Sequence, residues 1–512
     1  MSNHLIGIDI GTTGAKTLLI TPDGSIVAKA SHEYPMDTPR PTWTEQNPDD
    51  WWQATVTTIR SVIERSGIHP KDVASIGLTG QMHGLVLLDR SGRVLRPCIL
   101  WNDQRTVAEC DEIREMVGKS NLIRLTGNDV LPGFTAPKLL WVKKNEPVIY
   151  EKIGKLLLPK DFIRYCLSGS YASEVSDASG TSLFDVQHRR WSADLLAALE
   201  VPGVWLPTVT ESIECSAVVS REAARATGLL EGTPIVGGGG DQAAQAFGVG
   251  IVEEGLISAT LGTSGVIFAA SNTYRVEPEA LLHSFCHAIP GMWHLMGVTL
   301  SAGGSLRWYR DTFAEVERLR AEELGIDPYE ILSEEAKDVP PGSEGLLFLP
   351  YLSGERTPIN DPYARGVFFG ISLRHTKHHF VRSILEGVAY SLRDSLALVN
   401  QIGVHPKEII VSGGGARSDL WRQIMADVLG LPLLTTNSEE GAAFGAALLA
   451  GVGAQVYPSP TDAIRSAVKK KTKIRPSQNG KIYQDYYQQY HALYQALKGN
   501  FVSLENVVNT NF

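Results

Sequence analysis

One short pattern occurs twice in this sequence, almost half the chain apart, and it restricts the fold more than any other feature. The first copy, Gly11-Thr12-Thr13-Gly14, lies between two apolar runs at 5–10 and 15–20. The second, Gly262-Thr263-Ser264-Gly265, lies between apolar runs at 256–261 and 266–270. Two apolar runs joined by a short glycine turn predict a β-hairpin. A repeat at half the chain length is no solenoid period, so it predicts two duplicated domains.

The segment between the two copies predicts the domain boundary. Residues 248–255 are punctuated by glycine and separate the two patterns, which gives predicted domains of residues 1–248 and 249–512. Glycine is abundant, with 49 among 512 residues, but it follows no Gly-X-Y period and forms no Gly/Ser tract. The glycine excess therefore indicates neither a collagen nor a linker, and we expect the additional glycines in turns.

Composition and charge exclude several classes of protein. The chain is 43% hydrophobic and carries a net charge of −9, which is typical of a globular protein and argues against nucleic acid as a partner. The five cysteines contain no Cys-x-x-Cys pair, so a disulfide framework and a zinc site are not expected. The uncharged stretches 255–274 and 441–460 lack the Leu, Ile, Val and Phe content of a membrane span and are interpreted as buried core. No signal peptide is recognised at the N-terminus, so a cytoplasmic protein without a membrane partner is expected.

Several further elements are predicted from periodicity and turn residues. Strands are expected at 73–78, 233–236 and 408–411, each leading into a glycine-rich loop. A helix is expected at 51–65, capped by Asp49 or Asp50, and others at 419–429 and 481–497. The last helix carries five tyrosines at helical spacing, which favours packing against a domain surface. The basic run 469–473 is interpreted as a solvated turn.

The glycine turns provide candidate phosphate-binding groups. Backbone N–H groups of glycine turns can approach a phosphate closely, and threonine hydroxyls add donors, so Thr12, Thr13, Gly262 and Thr263 are candidates. Each turn also serves simply to reverse a strand. No Walker motif and no dinucleotide fingerprint are present.

Two charged residues beside the first turn suit a magnesium–nucleotide complex. Asp9 ends the first strand and could bind Mg²⁺, with a turn-capping carboxylate as the alternative. Lys16 could add positive charge near the phosphates, and a solvated surface lysine is an equally good interpretation.

Polar residues after three predicted strands are candidates for catalysis and for sugar binding. Asp241 follows four glycines at a predicted helix start, where a carboxylate could accept the proton of a substrate hydroxyl; the alternative is a helix N-cap. Gln81, Met82 and His83 form one group, and Trp101 and Asp103 another, in which polar groups beside an aromatic wall suit a polyhydroxylated sugar. A structural histidine is the alternative for His83.

Taken together, these motifs resemble the FGGY carbohydrate kinases of the actin-like ATPase superfamily, nearly from end to end. The resemblance rests on seven segments, which are residues 7–16 (GIDIGTTGAK), 43–48 (WTEQNP), 80–84 (GQMHG), 101–105 (WNDQR), 237–242 (GGGGDQ), 349–358 (LPYLSGERTP) and 412–421 (SGGGARSDLW). It implies an α/β fold of two actin-like (ribonuclease H-like) domains, with a cleft for nucleotide and sugar between them. The loop 80–84 indicates the branch of the family that phosphorylates D-xylulose.

The resemblance also implies a role for each matching residue. Asp241 matches the catalytic base, Asp9 the carboxylate near Mg²⁺, and Met82 and His83 the sugar contacts. Gly262 and Thr263 would hold phosphate oxygens of ATP, while Gly414, Gly415 and Ser418 would border the adenosine. Gln242, a further sugar contact, stands where the xylulose branch usually carries Asn.

Other activities remain as alternatives at this stage. Within the family these are kinases of ribulose, gluconate or a polyol. Outside it they are an actin-like ATPase switch without sugar chemistry, or a sugar-sensing regulator, although no client-binding domain and no DNA-reading segment is recognised. The sequence does not determine the oligomeric state, and a homodimer is considered.

Overall fold

In the computed structural model, residues 4–438 and 440–511 are described, and they form two seven-stranded sheets. The strands of the first half are β1 (His4–Ile10), β2 (Gly14–Ile20), β3 (Ile26–Glu33), β4 (Glu45–Gln46), β5 (Val73–Gly80), β6 (Val86–Asp89), β7 (Cys98–Ile99), β8 (Ile153–Leu157), β9 (Ala172–Glu174), β10 (Phe184–Asp185), β11 (Arg190–Trp191), β12 (Thr208–Thr210), β13 (Cys215–Val218), β14 (Pro234–Val236) and β15 (Gly239–Gly240). The first sheet has the order β13-β14-β5-β1-β2-β3, with β15 also pairing with β5.

The second half repeats this arrangement. Its strands are β16 (Leu256–Leu261), β17 (Gly265–Ser271), β18 (His283–Cys286), β19 (Trp293–Thr299), β20 (Leu347–Leu349), β21 (Val367–Phe369), β22 (Glu408–Ser412), β23 (Leu433–Thr436) and β24 (Lys470–Ile474). The second sheet has the order β18-β19-β17-β16-β22-β23-β24. In each sheet a hairpin (β1–β2, β16–β17) has a parallel neighbour on one side (β5, β22) and an antiparallel one on the other (β3, β19). The predicted α/β fold of two duplicated domains is confirmed.

Helices cover both sheets. They are α1 (Pro48–Ser66), α2 (Val107–Val117), α3 (Lys119–Thr126), α4 (Thr135–Asn145), α5 (Pro147–Tyr150), α6 (Pro159–Ser168), α7 (Val175–Ala178), α8 (Ala193–Ala198), α9 (Arg221–Thr227), α10 (Asp241–Val249), α11 (Gly303–Phe313), α12 (Glu315–Leu324), α13 (Pro328–Lys337), α14 (Lys377–Gln401), α15 (Asp419–Leu429), α16 (Ala442–Gly453), α17 (Pro460–Ala467) and α18 (Gly480–Asn511). Single 3-10 turns lie at Pro70–Asp72, Ser179–Thr181, Gly203–Trp205, Ser343–Gly345 and Gly414–Arg417.

Helices α10 and α16 pack against each other between the two sheets. They share a buried core with residues of both sheets, including Leu5 of β1 and Ile410 of β22. Glycines allow this close approach: a Cβ on Gly77 of β5 would lie 1.9 Å from the carbonyl oxygen of Ala446. Helix α16 therefore packs on the first sheet although it comes from the second half of the chain. The boundary at residue 248 stays a prediction.

The C-terminal helix α18 packs on the second domain through its tyrosines. The Tyr490 hydroxyl lies 2.7 Å from that of Tyr351, Tyr487 donates to Asp394 at 2.6 Å, and Tyr494 donates to Asp361 at 2.9 Å. The predicted packing of the tyrosine stripe is confirmed. The helix extends 14 residues beyond the predicted end at 497.

Two local expectations need correction, and a third is confirmed. Helix α1 is capped by Asn47, whose side chain accepts from the Asp49 N–H, because the helix begins at Pro48, before both predicted caps. The basic run is strand β24, with Lys470 and Lys473 paired to Glu408, because an edge strand exposes long cations while its backbone pairs with β23. Both uncharged stretches are core elements, and no helix in the described part of the chain could cross a membrane.

Candidate active site

Three parallel strands of the first sheet end side by side and bring the predicted site residues together. Ile10 of β1 lies opposite Gly80 of β5, and Gly80 lies opposite Gly240 of β15. The first glycine turn (residues 11–14), the loop Gln81-Met82-His83 and Asp241 follow these three strand ends directly. Because the carboxyl ends of parallel strands meet at one edge of a sheet, segments far apart in sequence form one site.

Asp241 is the first residue of α10 and is not its cap. Gly240 occupies the N-cap position, and no side chain caps this helix, so the alternative of a capping aspartate is not supported. Burial and the nearby Asp9 carboxylate raise the pKa of Asp241 to about 7, while hydrogen bonds from the neighbouring Gln242 oppose that shift. A carboxyl group with a pKa near neutrality is poised to gain and lose a proton.

Asp9 presents an unsatisfied oxygen at the same place. Its Oδ1 atom is buried without a hydrogen-bond partner in the described chain, so a turn-capping role is not supported. Burial raises the pKa of Asp9 to about 6, and Lys16 partly offsets the rise. Two close carboxyl groups, one with an orphaned oxygen, fit Mg²⁺, which binds through one or two carboxylates and keeps several waters. Residues 4–438 and 440–511 contain no larger cluster of metal-ligating side chains.

Lys16 is partly exposed and is engaged in an ion pair. Its side chain is 38% exposed, and its Nζ lies 3.4 Å from the Glu440 carboxylate of the second half of the chain. In this arrangement it links β2 to the segment before α16.

A buried charged network holds the glycine loop before Asp241, and the sequence offered no motif for it. Arg164 donates to the carbonyl oxygens of Val236 (2.7 Å) and Gly237 (2.6 Å). The Gly240 N–H donates to Ser176 Oγ at 3.0 Å. Close packing explains the glycines as well: a Cβ on Gly238 would lie 1.9 Å from the Leu78 carbonyl oxygen. The loop is thus fixed by its neighbours rather than free to flex.

The loop after β5 is tied to the first phosphate turn by side-chain amides. Thr12 Oγ1 donates to Gln81 Oε1 at 3.2 Å, and Gln81 Nε2 donates to Gln46 Oε1 at 3.0 Å. Gln46 Nε2 in turn donates to the Thr12 carbonyl oxygen at 2.7 Å. Gln81 is buried and takes part in this cycle of hydrogen bonds, so its side chain supports the turn. Thr13, next to Thr12, is exposed.

His83 is held rigidly at the edge of the cleft. Its backbone has φ of 70°, its Nδ1 lies 2.7 Å from the Gly180 carbonyl oxygen, and its ring stacks on Phe134 at 4.5 Å. Burial lowers the pKa of His83 to about 3. The ring is therefore neutral, with Nδ1–H donating and Nε2 left as an acceptor for a hydroxyl. Met82 packs beside Gly240, where a Cβ would lie 2.9 Å from its sulfur.

The remaining predicted sugar contacts are placed differently from one another. Trp101 is 41% exposed, and its indole N–H donates to Thr12 Oγ1 at 3.0 Å, so it stands over the phosphate turn. Gln242 is next to Asp241 and hydrogen-bonds to it. Asp103 does not reach the cleft: it is fully buried and accepts from Arg105 Nη2 and from the Thr44 N–H, both at 2.7 Å. Its carboxylate anchors the loop, because a buried charge needs a partner.

The second half of the chain adds two rings to the cluster around His83 and Phe134, and the sequence did not predict them. His283 and Phe285 of β18 stack on each other at 5.6 Å, and each lies about 6 Å from Phe134. His283 Nδ1 lies 2.9 Å from Asn128 Oδ1, which joins the two halves. No motif marks these residues, since the alternating pattern of β18 is that of any buried strand.

A cavity of about 870 Å³ opens beside the second glycine turn. Thr260 of β16 lies opposite Ser412 of β22, so the turn after β16 and the glycines after β22 are neighbours. The lining of this cavity includes all five residues of the second half that were predicted to bind ATP: Gly262, Thr263, Gly414, Gly415 and Ser418. It also includes residues that were not predicted, among them Leu306, Tyr329, Lys337 and Trp421.

The second glycine turn is held from behind by α11. The Gly303 N–H donates to the Gly262 carbonyl oxygen at 2.8 Å, and the Gly304 N–H donates to that of Thr263 at 2.9 Å. Gly415 approaches Trp421 so closely that a Cβ would lie 2.8 Å from its ring. An aromatic and aliphatic wall beside two glycine-rich turns fits a nucleotide.

Comparison with known proteins identifies relatives along almost the whole chain. Residues 4–248 match the N-terminal domain of the FGGY family of carbohydrate kinases, and residues 257–454 match its C-terminal domain. Xylulose kinase of Escherichia coli (strain K12) is 41% identical over 493 residues, which cover 96% of this chain and 99% of that protein. Gluconokinase of Bacillus subtilis (strain 168) is 34% identical, covering 88% of this chain and 87% of that protein. The crystal structure of a xyloylose kinase from Brucella ovis superposes with a TM-score of 0.88 at 40% identity, covering 97% of this chain and 100% of that one.

Proposed function

Because this chain belongs to the FGGY family of carbohydrate kinases, we propose that it transfers the terminal phosphoryl group of ATP to D-xylulose, giving D-xylulose 5-phosphate and ADP. The observation that carries the proposal is the register of the first sheet, in which Ile10, Gly80 and Gly240 end side by side. In that register Asp9, His83 and Asp241 lie at or just beyond neighbouring strand ends, which supports their proposed roles. The similarity to xylulose kinases over nearly the full chain supports the choice of sugar.

Asp241 acts as the general base. Its carboxylate accepts the proton of the substrate hydroxyl while that oxygen forms a bond to the terminal phosphorus and the bond from phosphorus to the ADP oxygen breaks. A pKa of about 7 suits this role, because the carboxylate is then partly ionised near neutrality and still basic enough to take the proton. The Arg164 and Ser176 contacts keep the loop before it in place.

Both glycine turns hold phosphate oxygens, and the 870 Å³ cavity holds the nucleoside. Thr12 and Thr13 approach from the first turn, Gly262 and Thr263 from the second, and Gly414, Gly415 and Ser418 border the adenosine. Asp9 would hold Mg²⁺ through its unsatisfied oxygen. When bound, this ion neutralises negative charge that develops on the phosphate oxygens. Lys16 remains a predicted phosphate contact that would first have to leave Glu440.

The sugar lies beside His83, one of whose ring faces is covered by Phe134 at 4.5 Å. His83 Nε2 accepts from a sugar hydroxyl, Trp101 and Met82 supply apolar contact, and Gln242 orients the reacting end. Closing the lobes excludes water, so that ATP is not hydrolysed instead. A cytoplasmic location fits the use of ATP, and a homodimer stays a prediction.

A sugar panel tests the proposed reaction. ADP release is measured with D-xylulose, D-ribulose, gluconate and xylitol, and the ratio of kcat/KM values identifies the substrate. D-xylulose should exceed the others by at least tenfold, a difference of about 1.4 kcal/mol in transition-state binding. A higher value for gluconate would replace the proposed sugar, and the similarity to gluconokinase makes this the second candidate. ATP turnover that no sugar changes would remove the kinase assignment.

A further inference from the structure

One buried hydroxyl at the edge of the first sheet has no role in the mechanism described above. Thr79 precedes Gly80 at the end of β5, and its side chain is fully buried. Within residues 4–438 and 440–511 its Oγ1 atom has no hydrogen-bond partner. Burying a hydroxyl in this way is unfavourable, because the group has lost the hydrogen bonds that water would give it. The Thr79 hydroxyl therefore calls for a partner from outside the chain.

The strand register places Thr79 beside Asp9. Thr79 of β5 is the parallel partner of Asp9 of β1, and neighbouring strands lie about 4.8 Å apart. Both side chains lie on the face that α16 covers, because two residues earlier an added Cβ on Gly7 or on Gly77 would lie 1.9 Å from a carbonyl oxygen of α16. Thr79 and Asp9 are therefore side by side on one face of the sheet.

The outer neighbours of this pair leave both oxygens without a partner. On the other side of Asp9 lies Lys16 of β2, whose Nζ is 3.4 Å from Glu440 Oε2. On the other side of Thr79 lies Gly239 of β15, which has no side chain. In the described part of the chain, Asp9 Oδ1 and Thr79 Oγ1 are thus two adjacent buried oxygens that nothing satisfies. A carboxylate accepts and a hydroxyl both donates and accepts, so one water molecule can bind both.

We propose, resting on the kinase function above, that Thr79 is a positioning residue for Mg²⁺: its hydroxyl and the Asp9 carboxylate together bind a water molecule of the hydrated ion. Mg²⁺ dehydrates reluctantly and keeps several waters, so a site for it needs groups that bind those waters as well as the ion. Strand β5 pairs with β1 on one side and with β15 on the other, so Thr79 lies between the strand of Asp9 and the strand that leads to Asp241.

Thermal stability without metal separates this role from a merely structural one. Valine has nearly the shape of threonine and lacks the hydroxyl, so Thr79→Val removes a group that makes no hydrogen bond to the described chain. Its Tm without metal or nucleotide should equal or exceed that of wild type.

Thr17→Val is the matched control for this substitution. Thr17 is also fully buried, but it lies on the opposite face of the sheet, in β2, and its Oγ1 is 2.8 Å from Thr58 Oγ1. Because a buried hydrogen bond is lost, Thr17→Val should lower the Tm by about 2 °C or more. It should bind metal as wild type does.

The test measures metal affinity directly. Mn²⁺, which prefers the same oxygen ligands as Mg²⁺, is titrated into the complex with a non-hydrolysable ATP analogue and followed by electron paramagnetic resonance. In Thr79→Val we expect the Kd of the metal to rise roughly 10- to 100-fold, as for the loss of a group that holds a metal-bound ligand. Thr79→Ser keeps the hydroxyl, so its metal Kd should stay within about threefold of wild type.

Two further measurements show where the loss arises. Isothermal titration calorimetry in EDTA gives the Kd of the analogue without metal, which should change about twofold or less in Thr79→Val, because the hydroxyl acts on the hydrated ion. In kinetics, the KM for Mg²⁺ should rise with the metal Kd, while the KM for D-xylulose at saturating Mg²⁺ should stay within about twofold.

Three results would overturn the proposal. An unchanged metal Kd in Thr79→Val would mean that the hydroxyl does not serve the ion. An equal loss of analogue affinity in EDTA would mean that it binds a phosphate oxygen instead. A weaker metal site that Thr79→Ser does not restore, with a Tm lowered as in Thr17→Val, would mean a structural role.

The comparison does not depend on one variant. If Thr79→Val does not fold, Thr79→Ala also removes the hydroxyl and is compared with Thr79→Ser in the same titration. Failure of the kinase function is a distinct result, since wild type would then transfer no phosphoryl group to any sugar, whatever the metal Kd of the Thr79 variants.

Discussion

At the level of single residues, one buried carboxyl group connects the chemistry of this protein with its stability. Asp241 lies beside Asp9, and burial together with this like charge raises its pKa to about 7. The proton it holds below that pH is the one it must lose in order to act as a base. Activity and stability should therefore respond to pH in opposite directions.

The activity should increase with pH around neutrality. We expect kcat/KM for D-xylulose to fall about tenfold per pH unit below pH about 7, because only ionised Asp241 accepts the proton. The measurement is initial-rate kinetics across pH at saturating Mg²⁺. Asp241→Asn should lower kcat by about three orders of magnitude or more with sugar affinity largely retained. Near-normal turnover in this variant would refute the assignment of the base.

The stability of the same variant should show the opposite dependence. A raised carboxyl pKa means that the folded state holds the proton more tightly than the unfolded chain, so ionisation destabilises the fold as pH rises from about 4 to about 7. Asp241→Asn removes that effect, so its Tm should exceed that of wild type at about pH 8 and converge with it at about pH 4. Calorimetry without Mg²⁺ or nucleotide measures this. A Tm difference independent of pH would contradict it.

The sequence predicted Asp241, Asp9 and Asp103 alike as site residues, and only the fold shows that the Asp103 carboxylate is engaged elsewhere. The glycine-rich turns and the strand ends before them are local patterns, so the residues that follow could be placed at a strand edge. Asp103 looked equally suitable, yet Arg105 and the Thr44 N–H take up its carboxylate. Such pairing depends on a loop 59 residues away in sequence. No local pattern reveals which polar side chain is already satisfied.

At the level of elements, the contact of α16 with the first sheet depends on glycines. A Cβ at Gly77 would lie 1.9 Å from the backbone oxygen of Ala446, and neither backbone can move without disturbing the shared core. Gly77→Ala should therefore lower the free energy of unfolding by about 2–4 kcal/mol, in the range of severe overpacking. Urea denaturation followed by circular dichroism measures the change.

Gly499 is the matched control for that substitution. It lies inside α18 with nothing within 4 Å of an added Cβ. Gly499→Ala should stabilise the protein by about 0.5–1 kcal/mol, because alanine favours a helix more than glycine does. If both variants changed stability equally, close packing at Gly77 would not be the cause.

Element prediction succeeded where periodicity is local and failed where pairing is distant. The two hairpins and helix α15 follow from short patterns, and α15 begins and ends at the predicted residues. The basic run was misread because its strand β24 is defined only by pairing with β23. The packing of α10 against α16 joins segments about 200 residues apart. In the sequence, this packing is indicated only by the small residues of each helix.

At the level of the whole molecule, both proposed ligand sites draw residues from both halves of the chain. The proposed sugar site lies beside one cluster of rings, to which the first half of the chain contributes His83 and Phe134 and the second half His283 and Phe285. The nucleotide site lies on the second half, while the Thr12 turn approaches from the first. The duplication was visible in the sequence as two glycine turns, whereas the rings from β18 required the fold. A ligand at either site therefore favours the same closed arrangement of the two lobes.

Sugar and nucleotide should consequently bind with positive cooperativity. We expect the Kd of a non-hydrolysable ATP analogue to fall roughly 5- to 150-fold when D-xylulose is saturating, and the Kd of D-xylulose to fall by the same factor when the analogue is saturating, as linkage requires. Isothermal titration calorimetry measures both factors. Small-angle X-ray scattering should show the radius of gyration decreasing most when both ligands are present. Asp241→Asn should keep the coupling, because closure precedes proton transfer. Equal affinities with and without the partner ligand would mean that the lobes respond independently.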